Sequence, residues 1–176
     1  MSSADFVSGR RTYERVIQGA VPGASKFVWI GTADIKDLHV ERAAGHMVPF
    51  LQVLSELLDQ GVQVRLIFAR EPGPAFQEDF DRYPNLAEEL EQVLCPRVHF
   101  KCVVVDGALA YVGSANLTGA GMGAKGDNRR NFEGGVVSTD PAFVAQVMEM
   151  FDSVWMGRHC AACDRKEYCT DYRELM

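Results

Sequence analysis

Several things are scarce in this 176-residue chain, and each scarcity narrows what it can be. No run approaches the roughly 18 consecutive apolar residues that a bilayer-spanning helix needs, so no membrane span is expected. The opening residues, MSSADFVSGRRTYERV, lack the basic-then-apolar layout of a secretion signal, which makes the cytoplasm the expected compartment. Positive charge is in deficit: 18 Lys and Arg stand against 24 Asp and Glu, a net charge of −6. The chain as a whole is therefore not built to coat itself in a polyanion, and any phosphate site must be a local basic patch. Internal repeats and low-complexity runs are also lacking.

What is present describes one ordinary folded domain. Hydrophobic residues make up 47% and charged residues 24%, far from the balance of a disordered chain. Residues 5–18 place Phe6, Val7, Tyr13, Val16 and Ile17 at spacings compatible with an amphipathic opening helix, ended by Pro22-Gly23. Residues 26–30 (KFVWI) read as a buried strand. Residues 47–60 read as a helix with Met47, Leu51, Leu54 and Leu58 in phase, stopped by Gly61. A strand over 62–68 follows, then a helical segment from Phe76 to about Val93 interrupted near Pro84. Strands over 98–105 and 109–112 flank Asp106-Gly107, a strong hairpin signal. A glycine-rich stretch, a strand over 132–138 and a last helix capped by Asp140, with Pro141 in its first turn, complete the chain. The expected class is α/β: a mixed β-sheet with helices on both faces. Residues 1–157 would form the catalytic domain, and 158–176 a Cys-rich tail.

The chemistry concentrates in VHFKCVVVDGALAYVGSANLTG, where His99, Lys101, Asp106, Gly113, Ser114 and Asn116 follow the pattern HxKxxxxDxxxxxxGSxN. Alternate residues of a strand share a face, so His99 and Lys101 point one way and Phe100 and Cys102 the other. An imidazole beside an ammonium suits an anionic phosphate: the lysine neutralises developing charge, and the histidine can attack phosphorus or move a proton near neutral pH. Gly113-Ser114 brings small groups and a backbone N–H, and the Asn116 amide can donate to a phosphate oxygen without adding charge. No metal is needed for such chemistry.

Every position of that pattern matches the signature of the phospholipase D superfamily, and the single-motif layout is similar to the small bacterial endonucleases of that family. The resemblance implies a phospholipase D-like fold, a histidine that becomes phosphorylated, a lysine and an asparagine that hold the phosphate, and a structural aspartate; these roles fall on His99, Lys101, Asn116 and Asp106. In relatives a carboxylate downstream bonds the other nitrogen of the histidine, and Glu133 in RRNFEGGVV is the candidate. Lys125, Arg129 and Arg130, in the glycine-rich GAGMGAKGDNRRN, are either a solvated loop or the means of capturing an anionic substrate.

In-line displacement at phosphorus needs a nucleophile on one side and an acid for the leaving oxygen on the other. One His99 cannot serve both, and His39, His46 and His159 lack the pattern. A two-fold homodimer that joins two such sites is expected, as in the nucleases the chain resembles.

Five cysteines without a secretion signal are better read as reduced thiols or metal ligands than as disulfides. In HCAACDRKEYC, Cys160 and Cys163 have the CxxC spacing that turns two thiolates toward one cation, and Cys169 follows. Cys95 or His159 is the candidate fourth ligand of a structural zinc; an iron–sulfur cluster and unliganded thiols are the alternatives. Cys102 belongs to the core.

The leading functional expectation is a nuclease cleaving DNA or RNA without a catalytic metal. A phospholipase D or phosphatidyltransferase would use the same residues, although no amphipathic basic helix marks a stable membrane association. A non-catalytic nucleic-acid-binding or assembly module of the same fold is the reading from a different class.

Overall fold

The structure, a computed structural model, describes residues 4–36 and 38–172. Seven strands form one sheet in the order β1-β9-β8-β7-β2-β5-β6. They are β1 (Ala4–Ser8), β2 (Phe27–Thr32), β5 (Gln63–Phe68), β6 (Glu91–Leu94), β7 (Lys101–Val105), β8 (Leu109–Gly113) and β9 (Gly134–Ser138). Strands β2, β5 and β6 run parallel; β7, β8, β9 and β1 continue antiparallel. A two-stranded ribbon, β3 (His39–Glu41) with β4 (Met47–Pro49), stands apart.

Helices cover both faces, because the central strands are apolar on both sides. On one face Val103, Val105, Val28 and Ile30 pack with Val16 and Ile17 of α1 (Arg10–Thr12, continuing as a π-helix over Tyr13–Ala20) and with Leu51, Leu54 and Leu58 of α2 (Phe50–Asp59). On the other, Cys102, Val104, Ala110 and Ile67 receive Val144, Val147 and Phe151 of α5 (Pro141–Trp155). Asp140 caps α5 through its carboxylate, which accepts from Phe143 N at 2.9 Å. The two short helices α3 (Pro74–Phe80) and α4 (Pro84–Glu89) separate β5 from β6.

Several boundaries differ from the sequence expectations, each for a physical reason. The opening residues are a strand: residues 4–8 pair with β9, Ala4 opposite Ser138, and Gly9, at φ 51°, turns the chain into a helix that starts only at Arg10. Residues 47–49 are also extended. Pro49 disfavours a helical Val48, and Met47 is exposed in the ribbon, not part of the α2 stripe. The helix expected to reach Val93 gives way to β6, since Glu91–Leu94 finds an open ladder beside β5. The ladder of β7 starts at Lys101 and that of β9 at Gly134, so His99 and Glu133 both stand just outside regular strand, at the same edge of the sheet.

Candidate active site

Register brings the motif together. Lys101 lies opposite Gly113 on β8, and Gly113 lies opposite Gly135 on β9. The residues just beyond these partners, His99 before β7, Ser114 and Asn116 after β8 and Glu133 before β9, therefore collect at one sheet edge. A side-chain carbon at Gly113 would lie 2.2 Å from Tyr111 Oη and 2.8 Å from Gly134 O, which explains why this motif position is glycine.

His99 is exposed, whereas Lys101, 7% exposed, is buried beside it. Lys101 Nζ is 3.2 Å from His99 Nδ1 and 3.4 Å from Nε2, and it donates to the His99 carbonyl at 2.6 Å. An ammonium only donates, so a ring nitrogen that bonds it is one without hydrogen. Burial lowers the Lys101 pKa from its ordinary value, and the nearby Glu133 carboxylate opposes that shift. The pair is held from behind: Phe100 and Cys102 turn to the opposite face, where a side-chain carbon at Gly31 would meet the Phe100 ring at 2.2 Å.

Asp106 does not face this cluster. It sits at the far end of the hairpin, at φ 55° followed by Gly107 at φ 66°, in a tight turn closed by Ala108 N donating to Val105 O at 3.0 Å. Its carboxylate accepts from Ser25 N (2.9 Å), Ser25 Oγ (3.0 Å), Lys26 N (2.7 Å) and Phe27 N (2.9 Å), fastening the start of β2 to the hairpin. Desolvation works against its charge, but these hydrogen bonds outweigh it and hold the carboxyl below the usual aspartate range.

Glu133 accepts hydrogen bonds from Ser114 Oγ and, at 3.3 Å, from Asn131 Nδ2. Among the described residues no hydrogen bond joins it to His99. Asn116 is half-buried, and its Oδ1 is sequestered without a hydrogen-bond partner, an arrangement that asks for a ligand or a rearrangement on binding. The glycine-rich stretch is packed and not slack: Met122 is buried, Met122 N donates to Thr118 O, and Asn131 N donates to Ala120 O. Lys125 and Arg129 are exposed on it. Arg130 pairs with Asp127 and borders a cleft of about 560 Å³ that Glu133 also lines.

Two features of the site carried no signal in the sequence. Buried Thr32, at the end of β2, accepts from Leu117 N (3.0 Å) and donates to Asp34 O (2.7 Å), and so clasps the loop that carries Asn116. A threonine closing a strand looks ordinary until its distant partner is known. Phe132 is fully exposed and lines the same cleft as Glu133, together with exposed Phe6.

Residues 22–155 match the model of the family described as cardiolipin synthase, PLD-like domain. Among characterised proteins, the mitochondrial cardiolipin hydrolase of Chlamydomonas reinhardtii is 28% identical over 104 residues, covering 58% of this chain and 44% of that one. The chain thus spans under half the length of that relative. Among solved structures, NucT from Helicobacter pylori superimposes with a TM-score of 0.63 at 12% identity, and the phospholipase D family member Nuc from Salmonella typhimurium with 0.62 at 17%. Each alignment covers 87% of this chain and 95% of the other, and at these identities the likeness is one of fold. No helix among the described residues is long and apolar enough to cross a membrane.

Proposed function

Because the chain belongs to the phospholipase D superfamily, we propose that it is a metal-independent phosphodiesterase acting through a phosphohistidine, with DNA or RNA as its substrate. The observation that carries this reading is the buried ammonium of Lys101 set 3.2 Å from His99 Nδ1, on the edge where Asn116 and Glu133 also stand.

In the proposed reaction a ring nitrogen of His99 attacks phosphorus in line with the leaving oxygen. A P–N bond forms, the P–O bond breaks, and the departing oxygen takes a proton from His99 of the partner subunit in a two-fold dimer. Water then attacks the phosphohistidine, gives its proton to that same partner imidazole, and releases a phosphomonoester. Lys101 and the Asn116 amide neutralise and hold the non-bridging oxygens. Burial disfavours the charged form of Lys101, and the Glu133 carboxylate, bonded to Ser114, favours it. Exposed Lys125 and Arg129 supply positive charge for a polyanion in a chain that is otherwise acidic.

The nucleic-acid reading rests on the single motif and on exposed Lys125 and Arg129. A phospholipid substrate is the second reading, favoured by the identity to a cardiolipin hydrolase and by exposed Phe132 and Phe6 at the cleft. The test is hydrolysis of a chromogenic phosphodiester in excess chelator, with folding followed by circular dichroism, then a panel of single- and double-stranded DNA, RNA and cardiolipin vesicles. The expected result is turnover of nucleic acid that disappears in His99→Ala. Turnover of vesicles alone transfers the assignment to lipid, and no turnover of any diester by the folded dimer overturns the enzyme.

A further inference from the structure

Cys95, Cys160, Cys163 and Cys169 come from two distant parts of the chain and line one cavity of about 170 Å³. None of them is in a disulfide. Cys95 directly follows β6, and the other three lie on the turns after α5. The two segments are already fastened to each other. The Asp171 carboxylate accepts from Leu94 N at 2.6 Å, and the Cys169 thiol donates to Leu94 O at 3.6 Å. Cys160 and Cys163 share one turn, in which Cys163 N donates to Cys160 O at 3.1 Å. Arg165 N donates to Cys163 Sγ at 3.4 Å, the kind of outer hydrogen bond that orients a thiolate ligand.

We propose that these four cysteines bind one structural Zn²⁺ that staples the tail to the turn ahead of His99. Four sulfurs complete the tetrahedron that structural zinc takes, which leaves His159, also lining the cavity, outside it. Four thiolates around a divalent ion carry net negative charge, and Arg97 and Arg165 border the cavity to offset it. Among the described residues no group of three or more His, Cys, Asp or Glu side chains is already arranged to hold a metal ion. Binding therefore requires the cysteine side chains to rotate between staggered positions and the tail turns to close. Each coordinating thiol releases its proton to solvent as its bond to zinc forms.

The place of Cys95 gives the ion its consequence. Val98 N donates to Cys95 O at 2.9 Å, closing a turn, and His99 is the next residue. His99 lies outside the β7 ladder, so this turn is the support on its N-terminal side. The zinc would hold that turn without touching the substrate.

The full-length protein, stripped with chelator and reloaded with zinc, is expected to bind one ion per chain, with four sulfur scatterers near ~2.3 Å in X-ray absorption. Cobalt in its place should show the charge-transfer and ligand-field bands of a tetrahedral tetrathiolate. Cys95→Ser should weaken zinc binding by more than about tenfold, a loss that even outer-sphere partners can cause, whereas His159→Ala and Cys102→Ser should leave it unchanged. Substoichiometric zinc after reloading, a nitrogen in the first shell, iron with sulfide in place of zinc, or Cys95→Ser binding like the parent would each overturn the proposal. If Cys95→Ser does not fold, the sulfur count and stoichiometry of the parent decide it. None of these readouts depends on phosphodiesterase activity.

Discussion

The β7–β8 hairpin and the C-terminal tail both bear on the short segment that runs from Cys95 to His99, and they are built on different principles. In the hairpin, position is over-determined. Lys101 is fixed by its ladder partner Gly113, by the hydrogen bond to the His99 carbonyl and by a turn whose two positive φ angles admit few sequences. In the tail, the described segment after α5 contains one 3₁₀ turn, Lys166–Tyr168, and is tied to the sheet by one carboxylate and one thiol. A few polar residues become a site in the first region because a sheet places them. In the second, the cysteines are brought near one another but not into a site, and the zinc proposed above would be what joins them.

The sharpest way to break the comparison is to remove chemistry without touching either scaffold. His99→Ala leaves the ladders intact, and its exposed side chain contributes little to packing; kcat on a diester is expected to fall by about 10⁴-fold or more, with an unchanged melting temperature. A variant that retains more than about a hundredth of the rate would place the nucleophile elsewhere.

Asp106→Ala attacks the scaffold instead. Four hydrogen bonds to residues 25–27 are lost, and about 2–3 kcal/mol of stability should go with them, read by urea unfolding. The folded-state pKa of Asp106 is depressed, so its contribution is fully present above the unfolded value near 3.8 and is lost as pH falls through the folded value. The variant should therefore show a weaker loss of stability in acid than the parent. Equal acid sensitivity would mean that other carboxylates dominate.

A smaller effect is expected at Glu133→Gln. Burial already depresses Lys101, and Glu133 is the group that opposes it, so removing the carboxylate moves the Lys101 pKa further down. The ammonium is then lost at lower pH, and the alkaline limb of the rate profile should shift toward neutrality, with roughly a tenfold rate loss at the optimum. An unshifted limb would separate Glu133 from Lys101. Least of all, Arg129→Gln with Lys125→Gln should raise KM for nucleic acid a few-fold and flatten its salt dependence, while kcat on a small diester stays the same.

How much of this could be read from the chain follows the same division. The hairpin was legible because Asp106-Gly107 has local turn chemistry and because alternation separates Lys101 from Cys102. Elements whose partner lies far along the chain were not. Residues 4–8 have helix-compatible spacing and become a strand only because β9 is there to receive them; residues 91–94 do so because β5 leaves an open edge. The clasp from Thr32 to Leu117 and the bonding of Glu133 to Ser114 likewise depend on register between remote strands.

The pairing of β1 with β9 also orders events in time. Of the described strands the earliest in sequence, β1, is the partner of the latest, β9, and it borders the cleft at Glu133 through Phe6. Until residues 134–138 have been synthesised, β1 has no ladder to join, and that side of the active site stays open. That side of the cleft therefore cannot form progressively along the chain: it closes in one step, when Ala4–Ser8 and Gly134–Ser138 pair.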